Sequence, residues 1–210
     1  MSRFASAGPV LALCLLAAAC GSSKSAAPST SASTTHAATT TSATPSPSAL
    51  QGEAGSAATG DIPDNQVFVS FADRAAGYAM KYPEGWAQNG SGNRVSFRDK
   101  NNIVRVVVQP GAPATIASVR TDLQALKRSS TSLNYKPSAS PVRIDGAAAI
   151  KVVYYTISQP NPVTNKRVNL MVDRYYLAHG GKRAVVDLGT PVGVDNVDAY
   201  RLMIESFKWK

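Results

Sequence analysis

Residues 168–188 read VNLMVDRYYLAHGGKRAVVDL, two apolar-rich runs on either side of Gly180-Gly181. Two glycines between strand-like runs predict a tight hairpin, because the favoured two-residue turn needs φ > 0 at both positions. With those glycines as the loop, His179 faces Lys182, Leu177 faces Ala184, Tyr175 faces Val186 and Arg174 faces Asp187. Side chains alternate along a strand, so Tyr175, Leu177, Ala184 and Val186 share one side. The opposite charges of Arg174 and Asp187 meet on the other, a cross-strand pair contributing roughly 0.2–1 kcal/mol. An antiparallel sheet is therefore the first expectation.

Working outward, the same alternation returns. Ile150 to Ile157 (IKVVYYTI) is β-branched and aromatic, and reads as a strand. Val142 to Ile144 leads into it through the turn Asp145-Gly146, and a loop rich in Pro and Asn, Ser158 to Arg167, leads out. Further upstream, Gln66 to Phe71 alternates. Tyr78, Met80 and Tyr82 then share a face before Pro83-Glu84-Gly85 turns the chain. Arg94 to Phe97 and Ile103 to Val108 are two more strands, joined by the turn-rich Asp99 to Asn102. The period changes at Ile116, Val119, Leu123 and Leu126, one face of a helix from about Thr115 to Arg128. A second helix is expected near the end, capped by Asp195 or Asn196, with Val197, Tyr200, Met203, Ile204 and Phe207 on one stripe. Strands with two amphipathic helices describe an α+β layered domain.

This pattern occupies Asp61 to Lys210 only. From Ser22 to about Gly60 the chain is almost all Ser, Thr, Ala, Pro and Gly, with no aromatic residue. Such a segment cannot bury enough apolar surface to offset its backbone entropy, about 1–2 kcal/mol per residue, so a disordered linker is expected. The chain carries 22 Lys+Arg and 13 Asp+Glu, a formal net charge of +9. Only Arg3, Lys24 and Glu53 of these precede Asp61, so the domain holds most of the charge. Its basic residues look scattered, among them Arg94, Arg98, Lys100, Arg105, Lys127, Arg128, Lys166, Arg167, Lys182 and Arg183. No run or recognition motif points to nucleic acid. A solvated surface is the plain expectation, and attraction to an anionic layer the functional one.

The two cysteines, Cys14 and Cys20, both precede the domain, which therefore has neither a disulfide nor thiol chemistry of its own. An apolar segment from about Ala5 to Ala19 has the length and small-residue ending of a secretory signal and is short for a spanning helix. Cys20 closes it, and Gly21-Ser22-Ser23 follows. A disulfide to Cys14 would span a segment that is embedded or removed. A metal site lacks neighbouring ligands, and an activated thiolate needs a base on a rigid scaffold. The stretch Ala17-Ala18-Ala19-Cys20 resembles the lipobox of bacterial lipoproteins, with Ala17 where Leu is commonest. That resemblance implies cleavage after residue 19, a diacylglycerol on the Cys20 sulfur, and a protein lipid-anchored on the extracytoplasmic face of the cell membrane. The expected organisation is a signal peptide over 1–19, lipidated Cys20 with its linker over 20–60, and the domain over 61–210. About forty coil residues span roughly 35 Å, several Debye lengths of about 8 Å, so the linker would act as a spacer.

Candidate chemistry in the domain is sparse. His179 is its only histidine and has no Cys or His beside it, so an exposed turn residue is expected rather than a metal ligand. Neither a Gly-x-Ser-x-Gly elbow nor a phosphate-binding glycine loop is present. Asp195 and Asp198 flank a helix start, where carboxylates favour the dipole. Asp73, Glu84, Asp99 and Asp173 are the carboxylates that distant assembly would have to bring together for acid/base work. Tyr154-Tyr155 and Tyr175-Tyr176 put tyrosines on both faces of adjacent strands, as core packing or, alternatively, as the lining of a lipid or glycan cleft. Trp86 and Trp209 read as packing residues, and Asn89-Gly90-Ser91 as a loop that fits a glycosylation sequon.

The order GYAMKYPEGWAQ, VSFRDKNNIVRVVVQP, helix, VRIDGAAAIKVVYYT, hairpin and a closing helix ending SFKWK resembles the PsbP-like superfamily. That superfamily includes the extrinsic photosystem II protein and the Mog-type Ran-binding proteins. The chain is also similar to LpqN-type lipoproteins of actinobacteria, which share a lipobox, a Ser/Thr-rich spacer and one such domain. The sharpest local matches are Tyr82-Pro83-Glu84-Gly85-Trp86 and Phe97-Arg98-Asp99. The resemblance implies a central antiparallel sheet sandwiched by helices, and a non-catalytic module that binds a protein or cell-wall partner without a cofactor. The plant proteins' metal and photosystem contacts find no matching acidic or histidine positions here. A carrier or chaperone for a lipid or cell-wall glycan is the alternative expectation.

Overall fold

In the computed structural model, residues 59–129, 134–135, 139–161 and 163–210 are described. The hairpin sits at the centre. Its strands β9 (Asn169–His179) and β10 (Lys182–Pro191) pair antiparallel with His179 opposite Lys182, Leu177 opposite Ala184, Tyr175 opposite Val186 and Arg174 opposite Asp187. Gly180 and Gly181 take φ of 54° and 75°, the two positive angles that the turn requires. β10 also pairs with β5 (Asn102–Pro110), and β5 with β4 (Arg94–Asp99), which pairs with β3 (Ala87–Ser91). On the other side β9 pairs with β8 (Ala147–Ile157), which takes both β7 (Ser140–Ile144) and the two-residue β6 (Asn134–Tyr135). The result is one antiparallel sheet ordered β3-β4-β5-β10-β9-β8-β6, with β7 alongside β8.

A second sheet, which the sequence pattern did not announce, joins β1 (Phe68–Asp73), β2 (Tyr78–Pro83) and the short closing strand β11 (Lys208–Trp209). It packs with helix α2 (Val197–Glu205) on one face of the large sheet. There Tyr78, Met80, Tyr200, Met203, Ile204 and Phe207 meet Val95, Phe97, Val104, Val106, Val186 and Leu188. Tyr82 stacks on Phe97 at 4.1 Å between ring centroids. Helix α1 (Ile116–Ser129) covers the other face, setting Val119 and Leu123 against Ile150, Val152, Tyr154, Leu170, Val172 and Tyr176. The expected sandwich is thus present, with the small sheet sharing one layer with its helix.

Several expected elements keep their positions and change in detail. α1 begins one residue late because Thr115 is its cap: Ser118 N donates to Thr115 Oγ1 (3.1 Å) and Thr115 N to Ser118 Oγ (2.9 Å), a reciprocal capping box. α2 ends at Glu205, short of Phe207, and Val197 is exposed rather than on the buried stripe. Asn196 precedes α2 without capping it. Its side chain instead donates to Asn102 Oδ1 (3.1 Å), Thr190 Oγ1 (2.8 Å) and Gly60 O (3.1 Å), and accepts from Ile62 N (2.8 Å). This buried amide network ties the first described residues to the end of the large sheet: the two N–H groups of Asn196 are shared among three acceptors, and its oxygen takes one donor. Asp195 Oδ1 accepts from Val197 N at 3.2 Å. Asn89-Gly90-Ser91, expected in a loop, lies in β3. Its polar, glycine-containing sequence lacks a buried face and so carries no alternation to read.

The signal segment, Cys14, Cys20 and the linker to residue 58 lie outside the described residues. Among the described residues no helix is long and apolar enough to cross a membrane.

Candidate functional site

The residues that suggested chemistry are distributed without convergence. His179 is exposed beside the hairpin turn, its ring facing Trp209 at 6.4 Å. Asp198 is exposed and pairs with Arg201 at 3.2 Å. Asp73 accepts from Ala76 N (2.9 Å) and Gly92 N (2.6 Å), and these backbone donors, Ala76 first, hold its carboxyl below the usual carboxylate range. Asp99 lies 3.9 Å from Lys100, Asp173 sits 2.7 Å from Lys151, and Glu84 is exposed. Asp73, Asp99 and Asp173 are each engaged locally, and none of the four is shown paired with another. Among the described residues no group of three or more His, Cys, Asp or Glu is placed to hold a metal ion. Tyr154, Tyr175 and Tyr176 are buried, filling the two layers rather than lining a cleft, while Tyr155 is 42 % exposed. Burial disfavours the phenolates of Tyr154, Tyr175 and Tyr176 and raises all three. Trp86 is buried in the core and Trp209 packs against it.

What the fold does assemble is a row of arginines. The face of the large sheet that carries α1 is covered over β8 and β9, and its β3–β4–β5 half is open. Alternation sends Val95, Phe97, Val104 and Val106 into the core, and Arg94, Ser96, Arg98 and Arg105 to this opposite face. Ser96 pairs across the strands with both Arg105 and Asn89. Asn89, Gly90, Arg94, Val95, Ser96 and Arg105 line an open cavity of about 280 Å³. The basic residues that looked scattered along the chain are therefore gathered in part by strand pairing.

One carboxylate serves this face. Asp187 has a side chain only 5 % exposed and receives Arg174 Nε at 2.6 Å and Nη2 at 2.8 Å, a bidentate pair. Arg105 reaches the same carboxylate at 3.6 Å. Arg174 is largely covered, its guanidinium 5.2 Å from the Tyr154 ring centroid. Burial opposes its charge, but Asp187 outweighs that and holds it protonated beyond its ordinary range. Sequence pairing found the Arg174–Asp187 contact and valued it as an ordinary cross-strand pair. The structure leaves the two side chains only 12 % and 5 % exposed, so the pair is governed by desolvation. Arg98 and Arg94 pair with no carboxylate among the described residues. Partial burial, and after it the repulsion of Arg105, disfavours the charged form of Arg98. Clustered, incompletely neutralised guanidiniums are a ready binding surface for anions.

The signal for this face was present as Arg94-x-Ser96-x-Arg98 with Arg105 across the hairpin. Strand registers were needed to see it as one patch.

Comparison with solved structures bears on the fold. The chain is similar to cyanobacterial PsbP (CyanoP) from Synechocystis sp. PCC 6803, with a TM-score of 0.53 at 17 % identity over 72 % of this chain and 98 % of that one. The fold is PsbP-like. A weaker similarity, TM-score 0.44 at 8 % identity, runs to the Saccharomyces cerevisiae Ran-binding protein Mog1p, covering 69 % of this chain and 96 % of that one. No protein-family model matches the sequence, and no curated protein matches it either.

Proposed function

We propose that this protein is a lipoprotein anchored through Cys20 on the extracytoplasmic face of the cell membrane, and that its PsbP-like domain is a non-catalytic module that binds another protein. The observation that carries the binding role is the open arginine face of the large sheet, built from Arg94, Arg98 and Arg105 beside an exposed margin strand. Asp73, Asp99 and Asp173 are each engaged by local donors or cations, which suits a binding surface better than an active centre. Support for the anchor is the sequence Ala17-Ala18-Ala19-Cys20 followed by a Ser-rich spacer. Two or more acyl chains hold a protein almost permanently, at about 0.8 kcal/mol per buried CH₂.

Two measurements test this. The full chain is expressed in a bacterium that processes lipoproteins, and membrane partition is compared with Cys20→Ala. The wild type is expected in the membrane fraction and the variant outside it; equal retention refutes the anchor. For binding, the detergent-solubilised full chain is used to capture partners after crosslinking at the cell surface. Recovery of a protein lost in Arg94→Gln/Arg98→Gln supports the module, and a capture indifferent to that change refutes the face as its site.

A further inference from the structure

The margin of the large sheet narrows the partner's chemistry. β3 pairs with β4 alone, so one of its edges carries no neighbouring strand among the described residues. All five of its residues are exposed, and Ala87-Gln88-Asn89-Gly90-Ser91 contains neither Lys nor Pro, the residues that most often blunt an edge. Gly90, at φ 79°, kinks the strand and limits any added strand to a few residues. Directly behind this edge, Arg94, Ser96 and Arg98 stand at alternate positions of β4. Alternate positions repeat at about 6.8 Å, the same repeat that an extended peptide gives its own alternate side chains. A strand added beside β3 would lie roughly 9.6 Å from β4, a gap that an arginine and a glutamate side chain span together.

We infer that this margin docks an acidic, extended segment of a partner protein, which adds as a strand to β3 and turns alternate carboxylates toward Arg94 and Arg98. Main-chain pairing supplies affinity in such an addition, and the alternate side chains supply selectivity. The cavity beside Asn89 and Ser96, with Arg105 on its far wall, accepts one carboxylate of the segment. Asp187 is a weak competitor for Arg105, which it meets at 3.6 Å, since Arg174 takes both its oxygens at 2.6 and 2.8 Å. A lipid headgroup or a phosphate polymer would find the same charges but could not pair with the backbone edge, from which the exposed Gln88 side chain, donating to Gly90 O at 3.3 Å, would turn aside; that pairing is what favours a peptide. The inference rests on the domain being a protein-binding module.

The test uses the full chain in mild detergent and a fluorescein-labelled Glu-Thr-Glu-Thr-Glu-Thr-Glu-Thr peptide, followed by fluorescence anisotropy. Three comparison probes are a block peptide of four Glu then four Thr, the alternating peptide N-methylated at every second residue, and phosphatidylglycerol vesicles. The alternating peptide is expected to bind best, more weakly as salt rises, and at least about fivefold more weakly to Arg94→Gln/Arg98→Gln. An unchanged urea midpoint in that variant separates lost binding from lost folding. N-methylation is expected to abolish binding while leaving every charge in place. Equal binding of the block or N-methylated peptide overturns strand addition. Vesicles binding as tightly through the same arginines overturn the choice of a peptide. No binding by the alternating peptide overturns this inference; if surface crosslinking still captures a partner, the binding module stands without it, and if neither is seen both fall.

Discussion

Replacing Asp187 by Asn tests the centre of the arginine face. The carboxylate is 5 % exposed and makes two short contacts to Arg174, whose own side chain is 12 % exposed. The amide keeps the shape and removes the charge. It also turns an NH₂ group toward one of two guanidinium donors that both need an acceptor. Arg174 then keeps neutral acceptors, the amide oxygen and Tyr154 Oη at 3.4 Å, but loses the one carboxylate that pairs with it among the described residues. Leaving one partner of a buried pair uncompensated costs about 3–5 kcal/mol. Arg105 contributes little to that cost, because at 43 % exposure it can turn to water. With a urea m-value of about 2 kcal/mol/M, the midpoint should fall by roughly 1.5–2.5 M in equilibrium unfolding. The double variant Arg174→Met/Asp187→Leu removes both charges, and much of the loss should return, because an apolar pair of similar volume carries no desolvation cost. A fall below about 0.5 M for Asp187→Asn, or a double variant as unstable as the single one, would falsify the assignment of this pair as buried and mutually dependent.

Gly90 stands at φ 79°, and a Cβ there would lie 2.4 Å from the Arg94 carbonyl oxygen, so Gly90→Ala should open the β3–β4 hairpin. Hydrogen exchange should then accelerate at β3 and β4 amides while β9 and β10 stay protected; uniform protection would contradict the close approach. Asn196→Leu strips the buried network of its shared amide and leaves Ile62 N without its acceptor, so thermal denaturation should show a loss of about 2–4 kcal/mol. A shift worth under about 1 kcal/mol would mean that water replaces the amide there. Asp73 titrates below its usual 3.8 in the folded state. Its contribution to stability is therefore complete above the unfolded value and disappears as pH falls through the lowered folded one. Asp73→Asn should flatten the acid limb of the stability profile, and an unchanged limb would show that the Ala76 and Gly92 contacts do not favour the carboxylate.

Much of the central sheet was legible because its strands carry a period. Tyr175, Leu177, Ala184 and Val186 are apolar on one side, and Gly180-Gly181 permits one register, so the pairing of β9 with β10 followed from local rules alone. The helices were legible for the same reason: Val119 and Leu123 repeat at helical spacing and are buried. β3 and β11 were not, since AQNGS has no buried face and KW is two residues long. Their pairing comes from where β4 and β2 already lie. The buried role of Asn196 was hidden by its position before a helix, where a capping residue is the local expectation.

By itself, the sequence determined the antiparallel hairpin, the two amphipathic helices, the α+β class and the absence of cysteine from the domain, all properties of neighbours along the chain. Only the tertiary structure decided that β1, β2 and β11 form a separate sheet, that Arg174 and Asp187 are shut away from water, and that Arg94, Arg98 and Arg105 share one open face. The physical reason is that burial and charge clustering depend on which strands lie side by side. β5 meets β10 across more than seventy residues of intervening chain, a pairing that no local period encodes.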